Sequence, residues 1–172
     1  MMLIKALQVK RSMSNLVSAS NTATTLRNRR NIRVLEPSSI ALCLGPSLIE
    51  AIVTTSVLVL IWDWRCGVGG AVHYEIPFCD SDILSLRSGL PAIPTLLQWL
   101  AAQNTNALNL QAKIYGGMET SDQGRLGESN ASLAFRMLSE TNIPVLSSII
   151  GGLDPRHVAI ELPSGQAWVR DL

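Results

Sequence analysis

Ser56-Val-Leu-Val-Leu-Ile-Trp-Asp-Trp-Arg-Cys-Gly-Val-Gly-Gly-Ala-Val-His73 is the stretch that decides the fold. Val57 to Trp62 is an unbroken apolar run rich in aliphatic residues, closed by Asp63, and such a run predicts a strand covered on both faces in the middle of a sheet. Gly67, Gly69 and Gly70 punctuate a turn. Ala71 to Pro77 then reads as a returning strand, with Ala71, His73 and Glu75 on one face and Val72, Tyr74 and Ile76 on the other. A hairpin through the glycines lays Ser56 to Trp62 beside that strand.

Upstream, Ile40 to Leu44 and Leu48 to Trp62 read as a strand and a longer strand separated by the turn signal Gly45-Pro46. Downstream, Pro77 to Gly89 is a polar loop, and Pro91 to Asn104 carries Leu96, Leu97, Trp99, Leu100 and Ala101 at helical spacing. Leu110 to Tyr115 is a strand stopped by Gly116-Gly117. Glu119 to Gly127 is a second polar loop, after which Asn130 is expected to N-cap a helix running to about Thr141 with Ala131, Ala134, Phe135 and Leu138 inward. Val145 to Ile150, His157 to Leu162 and Gln166 to Val169 close the chain as strands, the last two joined at Ser164-Gly165. The order of elements gives an α+β class with a mixed sheet, not a regular βαβ winding.

The chain of 172 residues is 47% hydrophobic and 5% aromatic, so one core of Leu, Ile, Val and Ala is expected and general disorder is excluded. The net charge of +1 conceals a division. Seven of the fourteen Lys and Arg residues precede the first acidic residue, Glu36, so the leader carries +7 and the remainder, with seven cations against thirteen acids, −6. Residues 1–30 are read as a basic, disordered arm attached to a domain of residues 31–172. An organelle transit peptide or a misassigned start would have the same composition. The arm has no aromatic residue to stack on bases and the body is acidic, so no nucleic-acid partner is expected.

No apolar run approaches the roughly 20 residues of a membrane span, and Lys5, Lys10 and Arg11 interrupt any signal-peptide core. A soluble, cytoplasmic protein without membrane insertion is expected. Cys43, Cys66 and Cys79 are three, widely spaced and without a CxxC pair, which argues against both a zinc site and a disulfide framework. The pairs Gly69-Gly70, Gly116-Gly117 and Gly151-Gly152 match no phosphate-binding loop and read as strand-end turns. No metal or cofactor is expected. His73 is the residue of most chemical interest, mid-strand beyond a glycine turn, whereas His157 has no comparable neighbours.

The opening segment resembles the signature of the CheD family of chemoreceptor glutamine deamidases: Cys-Val, a hydrophobic strand ending in Asp, a Gly-Val-Gly-Gly turn and His, with the same spacing from first residue to last. Val34-Leu-Glu-Pro37 and Ile40-Ala-Leu42 resemble the family's entry strand. Ala112-Lys-Ile-Tyr-Gly-Gly117 resembles A-K-x-F-G-G, and Leu126-Gly-Glu-Ser-Asn130 resembles I-G-E-R-N. Asn142-Ile-Pro-Val145 and Ile150-Gly-Gly152 resemble G-I-P-V and a following G-G pair, with Arg156 and Ser164-Gly165 in register. The resemblance covers residues 31 to 172 and implies mixed β-sheets in a sandwich-like core flanked by helices.

It also implies a function. Members of that family convert glutamines on the cytoplasmic helices of chemoreceptors to glutamate and hydrolyse receptor methyl esters, and many bind a CheC-type phosphatase. Their chemistry is that of a cysteine amidohydrolase: a thiolate attacks the carboxamide, ammonia leaves and water cleaves the thioester, with a His as base and an upstream Thr orienting it. In this chain the nucleophile position holds Ser56, preceded by Val53-Thr54-Thr55 where the family has Leu-Gly-Ser. The Thr position falls on Glu50 or Ala51, and only His73 matches the catalytic set.

A serine hydroxyl supplies essentially no alkoxide at neutral pH and depends wholly on an oriented base, and no third group to hold His73 is evident in the sequence. Three readings follow. The leading one is a protein that has lost or weakened hydrolysis and binds chemoreceptor helices or a CheC-like partner. A second is an amidohydrolase using Ser56 and His73, with Thr54, Thr55 or Glu50 orienting them and Thr54 and Thr55 lining the substrate site. A third is a fold turned to another purpose through Cys66 or Cys79.

Overall fold

The computed structural model describes residues 31–79, 85–122 and 124–172, so the expectation for the basic arm, residues 1–30, lies outside the described residues, as do residues 80–84 of the Pro77 to Gly89 loop. The apolar run from Leu48 to Trp62 is not one strand. It splits into β3 (Ser47–Val53) and β4 (Val57–Asp63), and the two belong to different sheets. The intervening Thr54-Thr55-Ser56 is a bend that carries the chain from one layer to the other. All three residues are compatible with extended structure and none is Gly or Pro, which is why composition conceals the break.

Preceding these are β1 (Asn31–Val34) and β2 (Ser39–Cys43), and following them is β5 (Gly69–Tyr74). Helix α1 spans Gly89–Ala101, β6 Leu110–Gly116, helix α2 Leu126–Glu140, β7 Val145–Ile150, β8 Arg156–Leu162 and β9 Ala167–Asp171. A five-stranded sheet has the order β2-β5-β4-β6-β7 and a four-stranded sheet the order β1-β3-β8-β9. The β6–β7 pair is parallel, with α2 as its crossover, while β2, β4, β5 and β6 pair antiparallel. The class is α+β, as the order of elements predicts.

Every residue of β4 is buried, and the strand is central in its sheet. Its two faces feed two cores. Val57, Val59 and Ile61, with Val72 and Tyr74 of β5, pack under Ile93, Leu96 and Leu100 of α1 and Ala131, Ala134 and Leu138 of α2. Leu58, Leu60, Trp62 and Ala71 face Ile49, Ala51, Val53, Val158 and Ile160 across the gap between the sheets. The arrangement is a two-sheet sandwich with helices on one outer face. The alternation along Ala71 to Tyr74 assigns His73 to the inter-sheet side, as its pattern predicts.

The far end of the β4–β5 hairpin is closed by Asp63, which is 2% exposed. Its carboxylate accepts the amides of Arg65 at 2.9 Å, Cys66 at 3.3 Å and Asn106 at 2.9 Å, and its carbonyl accepts Gly67 N–H. Burial alone would raise this carboxyl. The amide bonds outweigh it and hold the group below its ordinary 3.8.

Candidate active site

The other end of the same hairpin holds the candidate site. Ser56 precedes β4 and His73 lies one residue before the end of β5, where Leu58 pairs with His73 and Val57 with Tyr74. The antiparallel register thus brings residues seventeen apart into contact: Ser56 Oγ is 2.8 Å from His73 Nε2. The opposite nitrogen, Nδ1, is 2.9 Å from the carbonyl oxygen of Leu35. A carbonyl only accepts, so Nδ1 carries the proton, Nε2 presents its lone pair and the Ser56 hydroxyl donates to it. That is the tautomer a general base requires.

The carbonyl that orients the imidazole is itself fixed. Leu35 is 5% exposed in the inter-sheet core, and its amide donates to the carbonyl of Glu50 at 2.7 Å. The third group is therefore a main-chain oxygen, which no side-chain pattern announces. His73 is fully buried, and this is the largest influence on it: desolvation pushes the imidazole below its ordinary 6.5, against the smaller opposing pull of the Leu35 carbonyl and the carboxylates of Glu75 and Glu36. The base is neutral at neutral pH.

The bend that presents Ser56 is held through its carbonyls. Thr54 O accepts Met118 N–H at 2.8 Å, Ser56 O accepts Gly117 N–H at 2.9 Å, and Thr55 O accepts Asn130 Nδ2 at 2.9 Å. By contrast, the amides of Thr55 and Ser56 make no such tie among the described residues, and the Thr54 amide lies 3.4 Å from Ser56 Oγ. Gly116, at φ +113°, is glycine for a local reason: a Cβ there would collide with the Ser56 carbonyl oxygen. Gly127 is constrained likewise, since a Cβ would strike the carbonyls of Gly117 and Met118. The Gly-Gly pair and the Gly of the Leu126–Asn130 segment are parts of the Ser56 cradle.

Several expectations are corrected. Asn130 is not an N-cap, because α2 begins four residues earlier at Leu126; it is a buried residue inside the helix whose side chain reaches the bend. Glu50, expected as an orienting group, points to the opposite face of β3, where its Oε2 lies 3.8 Å from His157 Nε2. His157 thus has a charged neighbour that the sequence did not disclose. The backbone of Glu50 serves the site through its carbonyl, which receives Leu35 N–H. Thr54 and Thr55 are half-buried and contribute main-chain contacts to the bend.

Cys66 is exposed in the turn beyond Asp63, at the other end of a seven-residue strand, about 20 Å from Ser56 at ~3.3 Å per residue. Both nitrogens of His73 are occupied by Ser56 and Leu35, so neither Cys66 nor Cys79 has that base available. Among the described residues no cluster of His, Cys, Asp and Glu suits a metal ion, and no helix is long and apolar enough to cross a membrane.

Comparison with known proteins places the chain in a family. Residues 80–171 match the family described as CheD chemotactic sensory transduction, a span that begins after His73 and includes the cradle residues Gly116, Gly117, Gly127 and Asn130. Over 142 residues the chain is 32% identical to the probable chemoreceptor glutamine deamidase CheD 1 of Anaeromyxobacter dehalogenans, covering 80% of this chain and 83% of that protein. It is 27% identical over 144 residues to the probable chemoreceptor glutamine deamidase CheD of Sulfurimonas denitrificans, covering 80% and 92% respectively. A protein of the same description from Ruegeria is 29% identical over 158 residues, covering 90% and 79%. Its identity to these proteins over most of its length, together with the family match, makes the chain a member of the CheD family of chemotaxis proteins.

Proposed function

We propose that the chain hydrolyses the carboxamide of chemoreceptor glutamines, with Ser56 as nucleophile and His73 as general base. The observation that carries this reading is the Ser56–His73–Leu35 array, in which both imidazole nitrogens are engaged at 2.8 and 2.9 Å in the orientation acyl transfer needs. Ser56 Oγ bonds to the glutamine Cδ as its proton passes to His73 Nε2. The amides of Thr55 and Ser56, untied among the described residues, are the donors this reading assigns to the oxyanion. Nε2 returns the proton to the departing nitrogen, ammonia leaves, and His73 then activates a water that cleaves the Ser56 ester to give glutamate and the free hydroxyl. A receptor methyl ester follows the same course with methanol leaving.

The cost of serine in place of a thiolate falls on the first step, so the reaction is slower than that of a cysteine enzyme with the same surroundings. The protein acts in the cytoplasm, on the receptor helices found there. A second reading, a receptor-binding or CheC-binding protein without hydrolysis, is favoured by one observation: Ser56 is only 3% exposed.

The two separate in one experiment. The protein, Ser56→Ala and Ser56→Cys are incubated with a chemoreceptor cytoplasmic fragment, and Gln-to-Glu conversion is read by mass spectrometry. Conversion by the unsubstituted protein, lost in Ser56→Ala and raised in Ser56→Cys, is expected. Binding of the fragment without conversion by the unsubstituted protein overturns the hydrolytic reading and leaves the binding one.

A further inference from the structure

We infer that Asn130 is a positioning residue for the Ser56 bend, holding the hydroxyl against His73; the inference rests on the hydrolytic reading above. Asn130 is fully buried, one turn into α2, and its Nδ2 donates both protons to main-chain carbonyls: Thr55 O at 2.9 Å and Glu75 O at 2.8 Å. Thr55 immediately precedes Ser56, and Glu75 lies two residues after His73. A single planar carboxamide therefore ties the strand end that bears the nucleophile to the strand end that bears the base.

The orientation of that amide follows from its partners. Two carbonyl oxygens need two donors, so the NH2 group faces them and Oδ1 faces away. There Oδ1 is buried and has no hydrogen-bond partner among the described residues. A residue selected only for filling this space would not carry an unsatisfied oxygen; an aliphatic side chain of the same volume would pack without one. The side chain is also anchored from below. Tyr74 OH donates to the main-chain carbonyl of Asn130 at 2.6 Å, which fixes the turn of helix from which the carboxamide projects.

The rest of the bend does not substitute for this tie. Gly117 and Met118 hold the carbonyls of Ser56 and Thr54 to β6 and the segment after it, but neither reaches β5. Without the Asn130 bridge, the described residues join these strand ends through the ladder that begins at the Val57–Tyr74 pair and through the Ser56–His73 bond itself, and the bend gains freedom along the direction that separates Oγ from Nε2. Displacements of about 1 Å at a reacting atom cost on the order of 100-fold in rate.

The test uses a reporter that needs no turnover. In Ser56→Cys the thiol occupies the hydroxyl's place beside His73, and the pH midpoint of its alkylation by iodoacetamide reports thiolate formation next to the imidazole. Burial slows the absolute rate but leaves the midpoint readable. Asn130→Leu and Asn130→Asp, each with the same number of side-chain heavy atoms as Asn, are added to Ser56→Cys. The clamp predicts that the midpoint, lowered by the adjacent imidazole relative to the same thiol without it, moves up by about one unit in both double variants. Folded double variants with an unmoved midpoint overturn the inference, because a residue that merely fills space is replaced by Leu without consequence for the thiol.

Should both double variants fail to fold, deuterium exchange in the unsubstituted protein decides. The Asn130 carboxamide protons are expected to exchange as slowly as the Gly117 and Met118 amides of the same bend, and faster exchange overturns the clamp. Loss of the hydrolytic reading is seen separately, as absence of Gln-to-Glu conversion by the unsubstituted protein and by Ser56→Cys while the alkylation profile still responds to Asn130.

Discussion

The two ends of the β4–β5 hairpin are each built round a buried polar side chain, and they use it in opposite ways. Asp63 at one end is saturated by backbone, with three amides on its carboxylate. Ser56 at the other end is surrounded by a backbone whose carbonyls are tied away from it, and its hydroxyl is bonded to an imidazole. A polar group consumed by main-chain partners is a clasp. One left facing a neutral imidazole, beside amides that are untied among the described residues, has the arrangement that the proposed hydrolysis requires. The same two strands thus carry a backbone-saturated clasp at one turn and the proposed reactive pair at the other.

The contrast breaks most sharply at Ser56. Replacing it with alanine removes the nucleophile without disturbing the carbonyl ties of the bend, so Gln-to-Glu conversion is expected to fall by at least about 10³-fold while the melting temperature stays within a few degrees. Conversion that survives in Ser56→Ala would falsify the assignment of the reactive end.

At the clasp the expectation reverses. Asp63→Ala deprives three amides of a charged acceptor and is expected to lower stability by about 3 kcal/mol in urea unfolding, with the residual activity following the folded fraction. A variant as stable as the unsubstituted protein would make the turn, and not the carboxylate, the source of rigidity.

The two ends also titrate differently. Both groups have folded-state values below their ordinary ones, so in each case the unfolded chain takes up a proton first and stability drops as pH falls. For His73 the loss starts at about 6.5 and is complete below its folded value; for Asp63 it starts at about 3.8. Stability is therefore expected to be level above about pH 7 and to decline in two stages in acid. His73→Gln should remove the upper stage alone, and chemical denaturation at a series of pH values reads this directly. The hydrolysis rate should also reach its plateau by neutral pH, since the base is already free there.

Much of this architecture was legible. Val57 to Trp62 has no polar face, and that alone makes β4 central; the alternation of Ala71 to Tyr74 places His73 between the sheets and Tyr74 under the helices. The resemblance of short segments singled out Ser56 and His73, and the two lie 2.8 Å apart. What the sequence hid was non-local. Val53 to Val57 is a continuous series of extended-compatible residues, so the bend that separates the sheets leaves no local mark. Leu35 acts through a carbonyl that any residue possesses. Asn130 carries the composition of a helix cap, and only tertiary contact shows its side chain reaching across to two strands.

The smallest effect is expected on the outer face of β3, where Glu50 and His157 stand 3.8 Å apart with the imidazole partly exposed. Glu50 occupies a position that resemblance marks as catalytic, yet its carboxylate lies on the far side of the strand from His73. Its service to the site is the carbonyl that receives Leu35 N–H, which a substitution of the side chain preserves. A partly exposed contact between a carboxylate and an imidazole at this distance contributes at most about 1 kcal/mol. His157→Gln is accordingly expected to change stability by less than that and to leave Gln-to-Glu conversion within twofold, and Glu50→Gln should behave in the same way. A tenfold fall in conversion with stability intact would instead show that the outer pair communicates through β3 to the Leu35 carbonyl, and the division between a structural histidine and the proposed base would no longer hold.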